Sequence, residues 1–388
     1  MRRKCRLAGG LIGAFALVVS TLAASITAGA GGGPPTFTIG VDNATPTGHV
    51  FEYVDYFPRG QVLSADPQAI VGNGAVLDFH YGGGRDGLHT ATFLPANGSP
   101  PPLVIPDLDN GESHLIFNPQ AAFPTAGCGQ SSDNACAYDG TNFVNSGAMP
   151  AFQSSDFFVQ ITVPLSSRPT TIHYVCLIHP GMQGVLTVVP GGGSSASRAT
   201  FGSSAASQYS ADTSDALNAE STATAEAQNG NFVVAGTATQ FVEVAEMLPQ
   251  TFTTHAGQTV TWKTLTMKDP HTVTFPQGSG SDSVDPLLPP YAPAECEGSP
   301  DSTPDTALAG PPPGFGCTTF PELGLNPAPN GVTAITDPTT VATSGIISSP
   351  FSPFPTSASF SFPNANTFHY QCRIHDDMIG TIVVTPNS

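Results

Sequence analysis

Short runs of β-forming residues recur along the chain, and turn residues separate them. In several runs apolar and polar positions alternate, as they do in a strand that buries one face. Gly and Pro between the runs interrupt any longer regular element. Because no helical pattern separates the strands, an antiparallel β-sandwich is favoured over a doubly wound α/β fold. The clearest runs are TFTIGV (36–41), FFVQITV (157–163), TVTW (259–262), ASFSF (358–362) and TIVV (381–384).

An internal repeat organises the chain. GLHTATF (87–93) and TIHYVCLIHPGMQGVLTVV (171–189) return in the same order as DPHTVTF (269–275) and TFHYQCRIHDDMIGTIVV (367–384). A string of matching anchors in one order indicates that a whole unit is duplicated.

The segment between the two copies, 191–230, is rich in Gly, Ser, Ala and Thr. This composition is typical of a linker, with enough Ala, Asp and Glu for a short helix around 205–228. The repeat therefore predicts a first domain at 37–190 and a second at 231–388, each long enough for its own core.

The N-terminal segment 1–30 has the order of a secretory signal peptide. Four basic residues are followed by an apolar run over 11–22 and then by small residues. A retained membrane anchor is the alternative, although the apolar run is short for a bilayer span. The signal predicts export to the periplasm or the cell exterior, without stable membrane insertion after cleavage.

The charge balance limits the possible partners. The formal net charge is −18, and removing the signal takes away four of the eleven Lys and Arg residues and no acidic residue, which leaves about −22. Such a chain disfavours nucleic acid and anionic membranes and favours encounter with a basic partner protein. An effect on solubility alone is the other explanation.

Each copy of the repeat contains one loop that carries three metal-ligating side chains. A thiolate, an imidazole and a thioether on a short loop between two strands can converge on one ion. An upstream histidine, His89 or His271, completes a set of two His, one Cys and one weak axial Met, which is what a blue-copper site requires. The loop ligands are Cys176, His179 and Met182 in the first copy and Cys372, His375 and Met378 in the second.

These residues resemble the cupredoxin family, with a Cys-x2-His-x2-Met loop similar in length to that of amicyanin. The resemblance implies two Greek-key sandwich domains in tandem, each holding one type 1 copper and passing single electrons to a redox partner protein. It also implies that the loop histidines His179 and His375 expose an imidazole edge through which electrons enter and leave.

Two other functions compete with the electron carrier. A two-domain copper oxidase or nitrite reductase needs further copper bound by several histidines, typically in His-x-His pairs. None of the six spare histidines forms such a pair, which predicts that the protein is not an enzyme. Copper storage or delivery stays open, although His-rich and Met-rich runs suited to it are absent.

Four cysteines remain once Cys5 and the two ligands are set aside. Exported chains form disulfides readily, and each insertion between the first His and the Cys of its unit holds two cysteines. The expected pairs are Cys128–Cys136 and Cys296–Cys317, with a surface metal site as the competing reading.

Overall fold

The computed structural model describes residues 34–62, 66, 68–84, 87–107, 114–151, 154–164, 168–190, 196–278, 332–349, 354–375 and 377–387. In this part the chain is mostly β-sheet with few helices, as the sequence predicts. Pro34 to Ser388 form one compact unit. The predicted signal peptide at 1–30 lies outside the described residues. No helix in the described ranges is long and apolar enough to cross a membrane.

We call 37–190 the first unit and 231–388 the second unit. Strands of the first unit are β1 (Thr36–Val41), β2 (Phe51–Tyr53), β3 (Tyr56–Phe57), β4 (Ile70–Gly72), β5 (Val76–Tyr81), β6 (Leu88–His89), β7 (Thr92–Phe93), β8 (Val104–Asp107), β9 (His114–Phe117), β10 (Cys136–Tyr138), β11 (Val144–Asn145), β12 (Met149–Pro150), β13 (Ser155–Ile161), β14 (Thr170–Val175) and β15 (Gln183–Val189). A short helix α1 (Pro119–Ala122) and a 3-10 turn (Ser132–Asn134) lie between β9 and β10.

Two five-stranded sheets form the body of the first unit. Their strand orders are β10-β13-β5-β1-β3 and β11-β7-β14-β15-β4. Apolar side chains of both sheets meet in one core, for example Phe79 of β5 and Tyr174 of β14, whose rings are 5.2 Å apart. The alternation along β1 and β13 therefore turns one face of each strand inward.

The second unit repeats this arrangement. Its strands are β16 (Val233–Ala238), β17 (Val242–Leu248), β18 (Thr251–His255), β19 (Gln258–Lys263), β20 (Thr274–Phe275), β21 (Thr333–Ala334), β22 (Ala342–Thr343), β23 (Ser357–Phe362), β24 (Asn366–Gln371) and β25 (Ile379–Thr385). They form the sheets β2-β17-β16-β19-β23-β21 and β18-β25-β24-β20-β22. Trp262 is fully buried in the core between these sheets.

The sheets are mixed, so the prediction of purely antiparallel pairing is wrong in this respect. Strand β1 runs parallel to β5, β4 parallel to β15, and β18 parallel to β25. Consecutive strands cross from one sheet to the other and back, and such a crossover brings two strands together in the same direction.

The segment between the units is a packed helix and not a flexible linker. Helix α2 (Arg198–Gly230) has 33 residues. It begins after Ser197, whose side chain accepts a hydrogen bond from the Thr200 amide, and ends at Asn231 in the left-handed conformation. The many Ala residues favour the helix. Composition alone underestimated its length because the apolar residues that it buries, such as Phe201, are widely spaced.

Polar contacts also attach helix α2 to the first unit. The guanidinium of Arg59 contacts the carboxylates of Asp55 and Asp212, and the Asp212 contact is 2.8 Å long. Gln208 donates a hydrogen bond of 2.8 Å to the Tyr56 carbonyl. These groups are buried, so their charges and dipoles compensate one another inside the protein.

Strand β2 belongs to the first unit by sequence but to the second by pairing. It lies antiparallel to β17, with Glu52 opposite Glu243. Apolar residues of β2, β17 and α2 form a third core. The two units are therefore joined by a shared sheet as well as by the helix.

Candidate metal centre

The ligand loops lie between the last two strands of each unit. Cys176 follows β14 directly, and Met182 directly precedes β15, so a tight turn carries His179 between them. The Cys176 amide donates to the Met182 carbonyl at 3.0 Å, and the Met182 amide to the His179 carbonyl at 3.2 Å. This turn brings the loop side chains to the end of β6, where His89 lies.

The structure brings three of the four predicted ligands of the first unit together. The Nδ1 atoms of His89 and His179 are 3.1 Å apart, and the Cys176 sulfur is 3.8 Å from Nδ1 of His179. One ligand atom from each residue lies within 4.8 Å of the others. Met182 is buried beside them in the core, and its sulfur as axial ligand stays a prediction.

The second unit shows the same arrangement. The Nδ1 atoms of His271 and His375 are again 3.1 Å apart, and the Cys372 sulfur is 3.7 Å from Nδ1 of His375. His271 is held by a backbone bridge to Ile347, and Met378 is fully buried. The repeated segments therefore give a second Cys-His-His cluster, and the Met378 sulfur as axial ligand stays a prediction.

Backbone amides surround each cysteine sulfur. In the first unit the amides of Thr90 and Ile178 point at the Cys176 sulfur from 3.3 and 3.4 Å. In the second unit Thr272 and Ile374 approach the Cys372 sulfur at 3.4 and 3.3 Å. Amide donors favour a negatively charged sulfur, which is the metal-binding form.

The thiol groups are poised to ionise. Burial alone raises the pKa of Cys176, but hydrogen bonds with His179 and His89 outweigh it and hold the pKa well below its usual range. His271 and His375 lower the pKa of Cys372 in the same way, against the effect of burial. A buried thiolate with two imidazole nitrogens, next to a thioether, is a donor set that fits copper.

The loop histidines are not exposed, contrary to the expectation for electron entry. His179 and His375 have exposed fractions of 6% and 5%. Their outer nitrogens face the carboxylate of Glu52, which lies on β2. The joining of β2 to the sheet of the second unit covers the edges that the resemblance leaves open to solvent.

Sequence reasoning missed the buried carboxylates around the ligands. Glu52 and Glu243 each interrupt an apolar run, FEYV and VEVA, in a chain with 10% charged residues. Burial, and Asp269 next, raise the pKa of Glu52 to about 8, and burial raises the pKa of Glu243. A positive ion at the neighbouring ligands opposes both effects. An acidic residue inside an apolar strand was the available signal.

The remaining predicted features divide between confirmed and undescribed. Cys128 and Cys136 form the expected disulfide. Cys296 and Cys317 lie outside the described residues. Of the spare histidines, His49 lies 2.8 Å from Glu220 in a half-buried group that also contains Glu246.

The chain is similar to solved copper proteins only at low identity and low TM-score. No protein-family model matches, and no curated protein does. A multicopper oxidase structure is 10% identical over 90% of this chain and 88% of its own, with a TM-score of 0.20. A copper-containing nitrite reductase from Thermus scotoductus is 11% identical over 92% of this chain and 69% of its own, with a TM-score of 0.22. A blue copper oxidase from Nitrosomonas europaea is 8% identical over 90% of this chain and 86% of its own, with a TM-score of 0.18.

All three of these proteins are enzymes, and the prediction that this chain is not an enzyme is contradicted and is not kept. The absence of His-x-His pairs excludes one arrangement of extra metal ligands. It does not address clusters built from distant residues, such as Glu52, Asp269 and His375, which the fold brings within 4.8 Å of one another. At these TM-scores no activity is transferred from those proteins to this chain.

Proposed function

We propose that the protein is an exported copper protein with two tandem cupredoxin domains, 37–190 and 231–388, each holding one type 1 copper and exchanging single electrons. The observation that carries the proposal is the pair of matching Cys-His-His clusters, one in each unit. Copper held there would change between its two common oxidation states and so carry one electron.

The side chains around each cluster support that role by restraining the ligands. Thr90 accepts a hydrogen bond from the Leu177 amide at 2.8 Å, and Thr272 accepts one from the Arg373 amide at 2.8 Å. These contacts fix each loop against the strand region that supplies the first histidine. Ligands that cannot rearrange suit electron exchange, because little has to move when the charge changes.

The closed ligand sets favour retention of copper over delivery. His89 and His271 are fully buried, and the cysteines are nearly so. A protein that delivers copper needs ligands that the receiving protein can reach. The acidic surface and the signal-like segment 1–30 instead support an exported protein that meets a basic redox partner.

A visible spectrum with copper quantified per chain tests the proposal. We expect two copper ions per chain and an intense band from thiolate-to-copper charge transfer. Purified protein reconstituted with copper but lacking this band would contradict the type 1 assignment.

A comparison of two rates then separates electron transfer from copper delivery. Electron self-exchange is measured on the loaded protein, and copper transfer is measured to a metal-free acceptor. We expect self-exchange to be the faster process. Transfer that outpaces self-exchange would favour storage or delivery.

A further inference from the structure

Each of the four histidines in the ligand sets has a carboxylate at its outer nitrogen, Nε2. The residues of this carboxylate group, Asp42, Glu52, Glu243 and Asp269, are at most 7% exposed. The Nε2 to oxygen distances are His89–Asp42 3.5 Å, His89–Glu52 3.6 Å, His179–Glu52 3.5 Å, His179–Asp269 3.5 Å, His271–Glu243 3.0 Å and His375–Glu52 3.9 Å.

This arrangement follows the chemistry of a metal-bound imidazole. When Nδ1 binds a metal, Nε2 carries the proton and needs an acceptor. A buried carboxylate in turn needs a donor or a positive charge, because an unpaired charge is costly inside a protein. Oxygens of Asp42, Glu52 and Asp269 have no hydrogen-bond partner among the described residues. The unpartnered oxygens of Asp42 and Glu52 face imidazole edges, and the other oxygen of Asp269 faces His179.

Glu52 differs from Asp42 and Glu243 in its reach. Its Oε1 faces His89 and His179 of the first unit, and its Oε2 faces His375 of the second. Asp42 contacts His89, and Glu243 contacts His271. The pairing of β2 with β17 places Glu52 between the two ligand sets.

We propose that Glu52 couples the two metal centres, positioning the loop histidines of both units and lowering the potential of both with one negative charge. This inference rests on the proposed function, in which both sets hold copper. Because one carboxylate serves two sites, a change at Glu52 has to alter both, whereas a change at Asp42 or Glu243 alters one.

The test compares Glu52→Gln with the matched variants Asp42→Asn and Glu243→Gln. Copper affinity is measured by competition with a chelator in Cys176→Ser and Cys372→Ser backgrounds, each of which keeps a single site. Mutation of the group behind a metal-bound His typically weakens binding about 10–100-fold, and these variants replace a charged carboxylate by a neutral amide. We expect this weakening at both sites for Glu52→Gln, at the first for Asp42→Asn and at the second for Glu243→Gln.

Midpoint potentials provide a readout that a purely structural role would not move in this pattern. Removing a negative charge near copper disfavours the more positive oxidised state, so the potential rises. We expect Glu52→Gln to raise both potentials and each control variant to raise one. If Glu52→Gln does not fold, Glu52→Asp, which withdraws the same charge by one methylene, is measured and also has to alter both sites.

The outcomes separate this inference from the proposed function. Wild-type protein with two coppers and a thiolate band, in which Glu52→Gln changes one site or none, overturns the coupling alone. A third metal ion per chain that Glu52→Gln removes also overturns it, because Glu52 would then be a ligand. Wild-type protein that binds no copper overturns the proposed function itself.

Discussion

The two ligand sets have nearly identical distances between their ligating atoms, but the carboxylates behind their histidines differ. The separation of the two Nδ1 atoms is 3.1 Å in both units, and the Cys–His distances are 3.8 and 3.7 Å. The carboxylates at the outer nitrogen of the upstream histidine differ, however. Nε2 of His89 lies 3.5 Å from Asp42 and 3.6 Å from Glu52, whereas among the described residues Nε2 of His271 faces one carboxylate, Glu243, at 3.0 Å.

This contrast shows which part of the site the repeat determines. The ligands come from segments that occur twice in the sequence, so their geometry occurs twice. Glu52 and Glu243 come from β2 and β17, and Asp42 follows β1, outside the repeated segments. Asp269 lies in a repeated segment but stands where the first copy has Gly87. Equal behaviour is therefore expected for the ligands and unequal behaviour for the groups behind them.

The largest expected effect is loss of one site from replacement of its cysteine. Cys176→Ser should remove roughly half of the thiolate absorption, and Cys372→Ser the other half, because oxygen cannot supply the charge-transfer band. The double variant should be colourless yet folded. Absorption spectroscopy with copper analysis measures this, and complete loss of colour from either single change would show that neither ligand set forms alone.

A pair of glycines, one beside the upstream histidine of each unit, should show that the surroundings of the two histidines differ. A Cβ at Gly236 would lie 2.1 Å from Nε2 of His271, and its φ is +78°. A Cβ at Gly87 would lie 2.5 Å from Oε1 of Glu52 and 2.6 Å from Nε2 of His89, without left-handed backbone. Gly236→Ala should cost about 1–3 kcal/mol from strain and about 1–3 kcal/mol from overlap, whereas Gly87→Ala has the overlap cost alone.

Denaturant unfolding of the two glycine variants measures these costs, and copper analysis assigns the damage. Gly236→Ala should weaken the second site, and Gly87→Ala should weaken the first site more than the second, because its Cβ also meets Glu52. Equal destabilisation by the two changes would contradict the role given to the left-handed backbone of Gly236.

Removal of the disulfide should affect stability without affecting colour. The Cys128–Cys136 bond closes a short loop in the first unit, so replacing both cysteines with Ser should cost about 2 kcal/mol, the low end for a disulfide. Thermal unfolding measures the loss, and the thiolate band is the control. A changed spectrum would place this loop in contact with the first site.

The smallest difference between the two units is expected at a pair of repeated glycines. Gly184 pairs with Tyr174 across β14 and β15, and Gly380 pairs with Tyr370 across β24 and β25. An added Cβ would lie 2.0 and 2.3 Å from the respective tyrosine rings. Gly184→Ala and Gly380→Ala should each cost about 1–3 kcal/mol by overpacking. Costs that differ by more than about 1 kcal/mol would show that the repeated cores are packed differently.

The clustering of Cys and His in each loop was predictable because loop spacing limits where these side chains can lie. Cys176, His179 and Met182 are six residues apart at most, and the strands on either side are readable from their alternation. The mixed pairing of β1 with β5 was not readable, because alternation shows which face is buried and not which strand is the neighbour.

Glu52 shows why the outer part of the site was missed. It lies 127 positions before His179 and 323 before His375, so no spacing rule relates it to either. Its position depends on the pairing of β2 with β17 and on the packing of α2, which is longer than composition indicated. The error about exposed loop histidines has the same origin, since β2 covers them.

The placement of β2 has a consequence for the order in which the protein folds. During synthesis β2 emerges long before β17. The hydrogen bonds between these two strands therefore cannot form until the second unit has left the ribosome. Such distant pairing is slow to form and leaves an exposed sheet edge in the meantime. A fragment that starts at residue 231 would lack β2, so β17 would become an unpaired edge strand of its sheet. Such a fragment would be prone to pair with other copies of itself.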